Sequence, residues 1–200
     1  RQVLGLSKPD TGTIRICGVD ITRCSPADLK AVRRRIGVAF QAAALFNSLS
    51  VEDNVALPLR ELTRLAEPTI KLMVWMRLKA VGLADAGRLY PRELSGGMRK
   101  RAAVARALAL DPEILIFDEP SAGLDPIVSA GLDELILFLK NELKVTILVV
   151  THELASAFGI ADRLAMLHSG SLIAVGPKDE FARDTHPRIR QFLDRRPDTV

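Results

Sequence analysis

Two hundred residues with 48% apolar, 26% charged and 4% aromatic side chains exclude a disordered or fibrous chain and fit an aliphatic globular domain, with room for an inserted subdomain. The formal charge of +4 favours acidic partners, but the basic residues are scattered, so charge alone selects no ligand. Cys17 and Cys24 match no metal-ligand spacing and read as free thiols of a reducing compartment, and no apolar run approaches the ~18 residues that span a bilayer.

RQVLGLSKPDTG, residues 1–12, reads as the end of a helix followed by a Pro-Asp-x-Gly turn, and its abrupt start inside an apolar pattern creates the expectation of a missing front end. TIRICGVDI, residues 13–21, alternates apolar and polar residues. In SPADLKAVRRR, Ser25 is placed to cap a helix with Pro26 at its first position. IGVAF, residues 36–40, is a short buried strand ending at Gln41.

Residues 50–106 are mainly helical, and TIKLMVWMRLKAVGL within them is apolar around most of its circumference. Such a helix is buried or meets a partner; Met73, Trp75 and Met76 are assigned to the core. EILIFDE and KVTILVV are parallel-type strands joined by a helix over about 127–143, a βαβ unit. RLAMLHSGSLIAVG reads as a hairpin turning at Ser169-Gly170, and PKDEFARD and HPRIRQFLD as short helices. The triplets Arg33-Arg34-Arg35 and Arg99-Lys100-Arg101 read as solvated helix faces. Aromatics are not interleaved with them, so nucleic acid is not an expected partner.

Chemistry gathers in the second half of the chain. The apolar strand EILIFDE ends in Asp118 and Glu119, at the strand end where open α/β sheets bind ligands. A nucleoside-triphosphate hydrolase needs one carboxylate to hold Mg²⁺ and another to orient or deprotonate water, roles that suit Asp118 and Glu119 in turn. Ser95, Gly96 and Gly97 offer a hydroxyl, a closely approachable backbone and a helix N-terminus, all suited to an anion. His152 comes directly after KVTILVV and Gln41 after IGVAF, each at a strand's carboxyl end. Taken singly, these residues are equally a strand-end acidic pair, a turn or cap, a structural histidine and a loop glutamine; their combination makes the case. No glycine-rich loop ending in Gly-Lys-Ser or Gly-Lys-Thr occurs in the 200 residues.

Gln41, Leu94-Ser95-Gly96-Gly97, the strand from Ile114 to Glu119, Ser121-Ala122-Gly123-Leu124-Asp125 and His152, in this order and spacing, resemble the nucleotide-binding domain of ABC transporters. RQVLGLSKPDTGTI resembles the segment immediately C-terminal to that family's phosphate loop, so the N-terminal strands and the Walker A loop are expected to be missing. Within the family, FQAAALFNSLSVEDNVALPLRE, ELSGGMRKRAAVARALALDP, with Met98 where most members carry glutamine, and the tail HPRIRQFLD resemble the ATPase of Mla/MCE, or toluene-tolerance, lipid transporters.

The resemblance implies a P-loop NTPase (RecA-like) α/β core over 1–49 and 107–176, an inserted helical signature subdomain over 50–106, and a C-terminal helical extension over 177–200. It implies ATP and Mg²⁺ as cofactors. Gln41 and Asp118 would serve the metal, Glu119 the attacking water and His152 the γ-phosphate. Ser95, Gly96, Gly97 and Met98 would close on ATP held by a second copy, with Asp125 in the dimer-spanning loop. The implied partners are that second copy in a head-to-tail ATP sandwich, a membrane permease and, indirectly, an MCE-type lipid-binding protein, and the implied place is the cytoplasmic face of a bacterial inner membrane. Two alternatives stand beside it: an inactive scaffold, because the phosphate loop is absent, and an ABC ATPase unconnected with transport.

Overall fold

The computed structural model describes residues 1–197. A short 3-10 turn, Gln2–Leu4, ends at Gly5 in the left-handed conformation, and a hairpin comes next, β1 (Arg15–Ile16) and β2 (Val19–Asp20). TIRICGVDI is therefore two strands, where its alternation suggested one run. Cys17 and Gly18 take φ of 49° and 82°, the paired positive angles of a tight hairpin turn.

Helix α1 (Pro26–Arg34) starts as expected, with the Ser25 hydroxyl accepting the Asp28 N–H at 3.1 Å. In the basic triplet at its end Arg33 and Arg34 are exposed, as expected, and Arg35 is half-buried, but two of the three also have fixed partners. Arg33 donates to the carbonyls of Leu4 and Gly5, each at 2.9 Å, and Arg35 grips both oxygens of Glu113 at 2.5 and 2.7 Å.

Strand β3 (Ile36–Ala39) leads into a helical stretch of α2 (Val51–Leu62), α3 (Glu67–Ala80) and α4 (Gly96–Ala107). Then β4 (Ile114–Asp118), α5 (Pro126–Leu143) and β5 (Thr146–Val150) complete the expected βαβ unit, and β3, β4 and β5 pair in that order, all parallel. Helix α6 (Leu154–Ile160) precedes the antiparallel pair β6 (Arg163–His168) and β7 (Ser171–Pro177), which turns at Ser169-Gly170 as expected. Helices α7 (Lys178–Arg183) and α8 (Pro187–Leu193) close the chain, α8 anchored by the fully buried Ile189. The last three residues of the expected 177–200 extension lie outside the described residues. Among the described residues no helix is long and apolar enough to cross a membrane.

One hydrophobic cluster runs from Leu115 and Phe117 of β4 through Ala102, Val104 and Ala105 of α4. It continues to Val51, Val55 and Leu59 of α2, to Val74 and Leu78 of α3 and to Leu132 and Leu139 of α5. The small residues of α4 let it lie directly on the sheet. At the tightest point, a Cβ on Gly37 would stand 2.3 Å from the Ala107 carbonyl oxygen and 2.7 Å from a Leu115 methyl. Asn54, fully buried, fastens the loop before α2: its side chain accepts the Phe46 N–H and donates to the carbonyls of Phe46, Leu49 and Ser50.

Helix α3 departs from the sequence expectation. Ile70, Val74 and Leu78 are buried and Met73 packs partly against the core, but Leu72, Trp75 and Met76 are 58%, 48% and 50% exposed. The helix is apolar on sides that no described element covers, and a pattern without a polar face cannot tell which side is inward. Strand β5 shows a similar split: Ile147 and Val149 pack on the core, whereas Leu148 and Val150 face outward.

Because backbone oxygen cannot retreat as a side chain can, Gly37→Ala is expected to destabilise the fold by about 3 kcal/mol, the upper end of ordinary overpacking. Urea unfolding of the two proteins checks this; equal midpoints would show that α4 and β3 can separate at no cost.

Candidate active site

The three parallel strands open their carboxyl ends on one side, the side where open α/β sheets place ligands. Register sets Phe117 opposite Ala39 and Asp118 opposite Val150, so the loops after β3, β4 and β5 leave the sheet at nearly one level. They carry Gln41, Glu119 and His152, with Asp118 the last residue of β4. Glu119 lies just beyond β4 with φ 47°, a left-handed backbone that costs a non-glycine residue free energy and recurs at functional sites. Its N–H donates to the Val150 carbonyl at 2.8 Å. Its carboxylate meets His152, Nδ1 standing 2.9 Å from Oε2. With Nδ1–H donating to Glu119, the other ring nitrogen, Nε2, is left for a further partner.

The Glu119 carboxylate, through this hydrogen bond first and its charge second, raises the His152 pKa above the ordinary imidazole value. A raised folded pKa contributes stability that is complete below ~6.5, the unfolded value, and is lost as pH climbs through the folded value. Glu119→Gln is expected to bring the His152 titration down toward the ordinary value, read by NMR of the imidazole. An unchanged titration would mean that some other group perturbs the ring.

The Ser95 segment is organised differently. Ser95 caps α4, its hydroxyl accepting the Met98 N–H at 3.3 Å, so the cap reading of this serine holds. The glycines have an intramolecular reason as well as any ligand-facing one. A Cβ on Gly97 would come within 2.5 Å of Val128 Cγ1, and one on Gly96 within 3.3 Å of Leu124 Cδ2. Asp125 caps α5, its carboxylate accepting the N–H groups of Ile127 and Val128 at 3.0 Å each. Met98 is half-buried against the core. The start of α4 thus abuts the Leu124–Val128 turn, and among the described residues no hydrogen bond joins Ser95 or Met98 to Asp118, Glu119 or His152.

The basic run after the glycines corrects another expectation. Arg99 is exposed, but Lys100 and Arg101 are half-buried, and all three donate to backbone carbonyls. Arg99 reaches Leu94, Lys100 reaches Gln41 and Glu119, and Arg101 reaches Val81 and Gly131. Arg106, further along the same helix, donates to Ala44 at 2.7 Å and Ala43 at 3.1 Å; burial lowers its guanidinium pKa. None of these roles can be read from charge patterning, because their acceptors lie 5 to 63 residues away. Ser121 carries no sequence signal of its own beyond its place in the motif. It is 1% exposed and its hydroxyl has no hydrogen-bond partner.

Residues 1–122 match the ABC transporter family. The chain belongs to that family. Over 194 residues it is 44% identical to the intermembrane phospholipid transport system ATP-binding protein MlaF of Escherichia coli (strain K12), covering 97% of this chain and 72% of that protein. Over 196 residues it is 43% identical to a Mycobacterium leprae (strain TN) protein named "probable ribonucleotide transport ATP-binding protein mkl", covering 98% of this chain and 56% of the relative. The chain thus spans little more than half the length of the mkl proteins it matches. Among solved structures, cbiO1 of Clostridium perfringens, part of the cbiONQ ABC transporter complex, aligns with TM-score 0.84 and 28% identity over 96% of this chain and 80% of its own. The ATP-binding cassette MJ0796, a dimer bound to ADP and Pi, aligns with TM-score 0.79 and 29% identity over 88% and 78%. The α/β fold expected from the sequence is the ABC cassette fold these structures share.

The ABC site can be tested against the groups the family binds. Among the described residues no cluster of three or more His, Cys, Asp or Glu could hold a metal by itself. Mg²⁺ needs none: it keeps waters and is bound by one or two carboxylates together with substrate phosphates. Asp118, an exposed carboxylate at the strand end beside Glu119, suits that mode.

Proposed function

We propose that this chain is the ATP-hydrolysing subunit of an ABC transporter that moves phospholipid between membranes. The observation that carries the reading is the convergence of Gln41, Asp118, Glu119 and His152 on one sheet edge, with the Glu119 carboxylate pinned against His152. Glu119 is the residue that orients water toward a γ-phosphate and takes its proton, and His152 offers Nε2 to the same phosphate. Asp118 and the Gln41 side chain would hold Mg²⁺, which when bound neutralises charge on the phosphate oxygens. Ser95 and the backbone of Gly96 and Gly97 face the nucleotide of a second copy in a head-to-tail dimer, and the Asp125 turn lies between the two.

The reading carries a division of labour along the chain. Residues 1–49 and 107–176 form the nucleotide-facing core, 50–106 the helical subdomain, and 177–200 the C-terminal extension. The chain works from the cytoplasmic face of a bacterial inner membrane, against a permease whose own partner is an MCE-type lipid-binding protein. Met98 and the likeness to MlaF support phospholipid as cargo. The mkl relatives, matched at nearly the same identity, support ribonucleotide as the second reading.

In the assembled transporter, Glu119→Gln is expected to lower hydrolysis ~10²- to 10⁴-fold, the range general-base catalysis supplies, while ATP still drives dimerisation on a sizing column. Ser95→Arg is expected to remove both, because the bulk sits where the opposing nucleotide must approach. Near-normal turnover by Glu119→Gln, or an ATP-induced dimer of Ser95→Arg, would overturn these roles. Mass spectrometry of small molecules carried by the purified complex separates the cargo readings, phospholipid supporting the first and ribonucleotide the second.

The 200 residues contain no Gly-Lys-Ser or Gly-Lys-Thr loop, and loss of even one preorganised donor to a reacting anion costs ~2.7–4 kcal/mol. Alone, the chain is therefore expected to bind MgATP weakly. Calorimetry showing a Kd of ~1 μM would mean that other residues replace that cradle.

A further inference from the structure

The Lys100 ammonium reaches two loops that come from different strands. Its Nζ donates to the carbonyl of Gln41 at 2.6 Å and to the carbonyl of Glu119 at 3.1 Å. Those acceptors lie 59 and 19 residues away in sequence, one after β3 and the other after β4. Both loops contain costly backbone: Glu119 holds φ 47°, and Ala43 and Ala44, just beyond Gln41, hold 61° and 50°. Residues in this left-handed region persist only where their surroundings over-determine them. The surroundings here are supplied by α4. Lys100 takes the carbonyls of Gln41 and Glu119, and Arg106 takes those of Ala43 and Ala44.

We propose that Lys100 is a positioning residue, holding the Gln41 loop and the Glu119 turn in one mutual placement so that the Glu119 carboxylate stays against His152. The assignment rests on the roles proposed for Gln41 and Glu119. An ammonium fits it because it carries three donors and no acceptor, so it can join two carbonyls at one point without competing for their donors. The Lys100 side chain is half-buried, so it has fewer alternatives in water to these carbonyls. The placement also has a mechanical consequence. Lys100 lies in the same helix that Ser95 caps, so a displacement of the start of α4 reaches Gln41 and Glu119 through one side chain.

The test compares Lys100→Met with Lys100→Arg in the 200-residue chain, with no nucleotide present, and reads the His152 pKa by NMR. Charge and position predict opposite signs. Removing a cation beside Glu119 would by charge alone raise the His152 pKa further. If Lys100 positions Glu119, its loss separates Glu119 from His152 and the pKa falls toward the ordinary value. A fall in Lys100→Met, restored in Lys100→Arg, supports the proposal, and so does amide exchange at Ala43 and Ala122 faster by ~10-fold in the methionine variant alone, the factor expected when a hydrogen bond to a charged group is lost. A rise or no change in the His152 pKa overturns it, even if the variant melts at lower temperature.

Should Lys100→Met fail to fold, the wild-type ammonium can be observed directly in an ¹⁵N-lysine spectrum. Proton exchange slower than at the exposed lysines, Lys71 and Lys79 among them, supports the two-carbonyl bridge; exchange as fast as theirs overturns it. These readings need no turnover, so near-normal hydrolysis by Glu119→Gln would overturn the proposed reaction and leave this test intact.

Discussion

Irregular backbone at the end of a parallel sheet has carbonyls that no ladder satisfies, and a buried carbonyl without a donor costs as much as a lost hydrogen bond. This chain meets that constraint with one helix. Four cations of α4, Arg99, Lys100, Arg101 and Arg106, donate to seven backbone carbonyls. The carbonyls belong to the Gln41–Ala44 loop, the Glu119 turn, the residue that closes α3, the interior of α5 and the residue before α4's own cap. Everything proposed for the site depends on those loops keeping their shape. The helix that carries Ser95, Gly96 and Gly97 is thus also the scaffold for Glu119 and Gln41.

The same helix can do this only because it lies so close to its neighbours. Gly37 lets the C-terminal end of α4 touch β3, and Gly97 lets its first turn touch Val128. A helix held at both ends by close contact has little freedom to tilt, so its long side chains reach fixed targets. Two glycines far apart in sequence, one in a strand and one in the first turn of a helix, serve one packing geometry. The flexibility usually credited to Gly-Gly is here a matter of clearance.

The elements, the βαβ unit, the hairpin at Ser169-Gly170 and the shared sheet edge of Gln41, Glu119 and His152 were legible because each depends on local pattern: strand runs, turn residues and the carboxyl ends of strands. Three things were not. The turn at Cys17-Gly18 was hidden because Ile16 and Val19 preserve the look of alternation across it. The inward side of α3 is ambiguous in the sequence because Trp75 and Met76 are as apolar as Val74 and Leu78, and burial is decided by which neighbours exist. The carbonyl-binding role of Arg99, Lys100 and Arg101 was invisible because a run of cations beside a motif reads as solvated unless its distant acceptors are known. Only the adjacency of those cations to Ser-Gly-Gly hinted at a role beyond solubility.

Strand β5 is one of the two edges of the three-stranded sheet among the described residues, and its sequence, TILVV, is rich in β-branched residues and free of charge and proline. Its outward side chains, Leu148 and Val150, are about half exposed. An open hydrogen-bonding edge bearing apolar side chains is a template for another strand. For the isolated 200-residue chain this sets a colloidal limit: two copies can pair edge to edge through β5 with no nucleotide between them. Such a pair would be distinguishable from a nucleotide sandwich by its indifference to ATP and its growth with concentration, and a lysine at Val150 would suppress it while leaving α4 untouched.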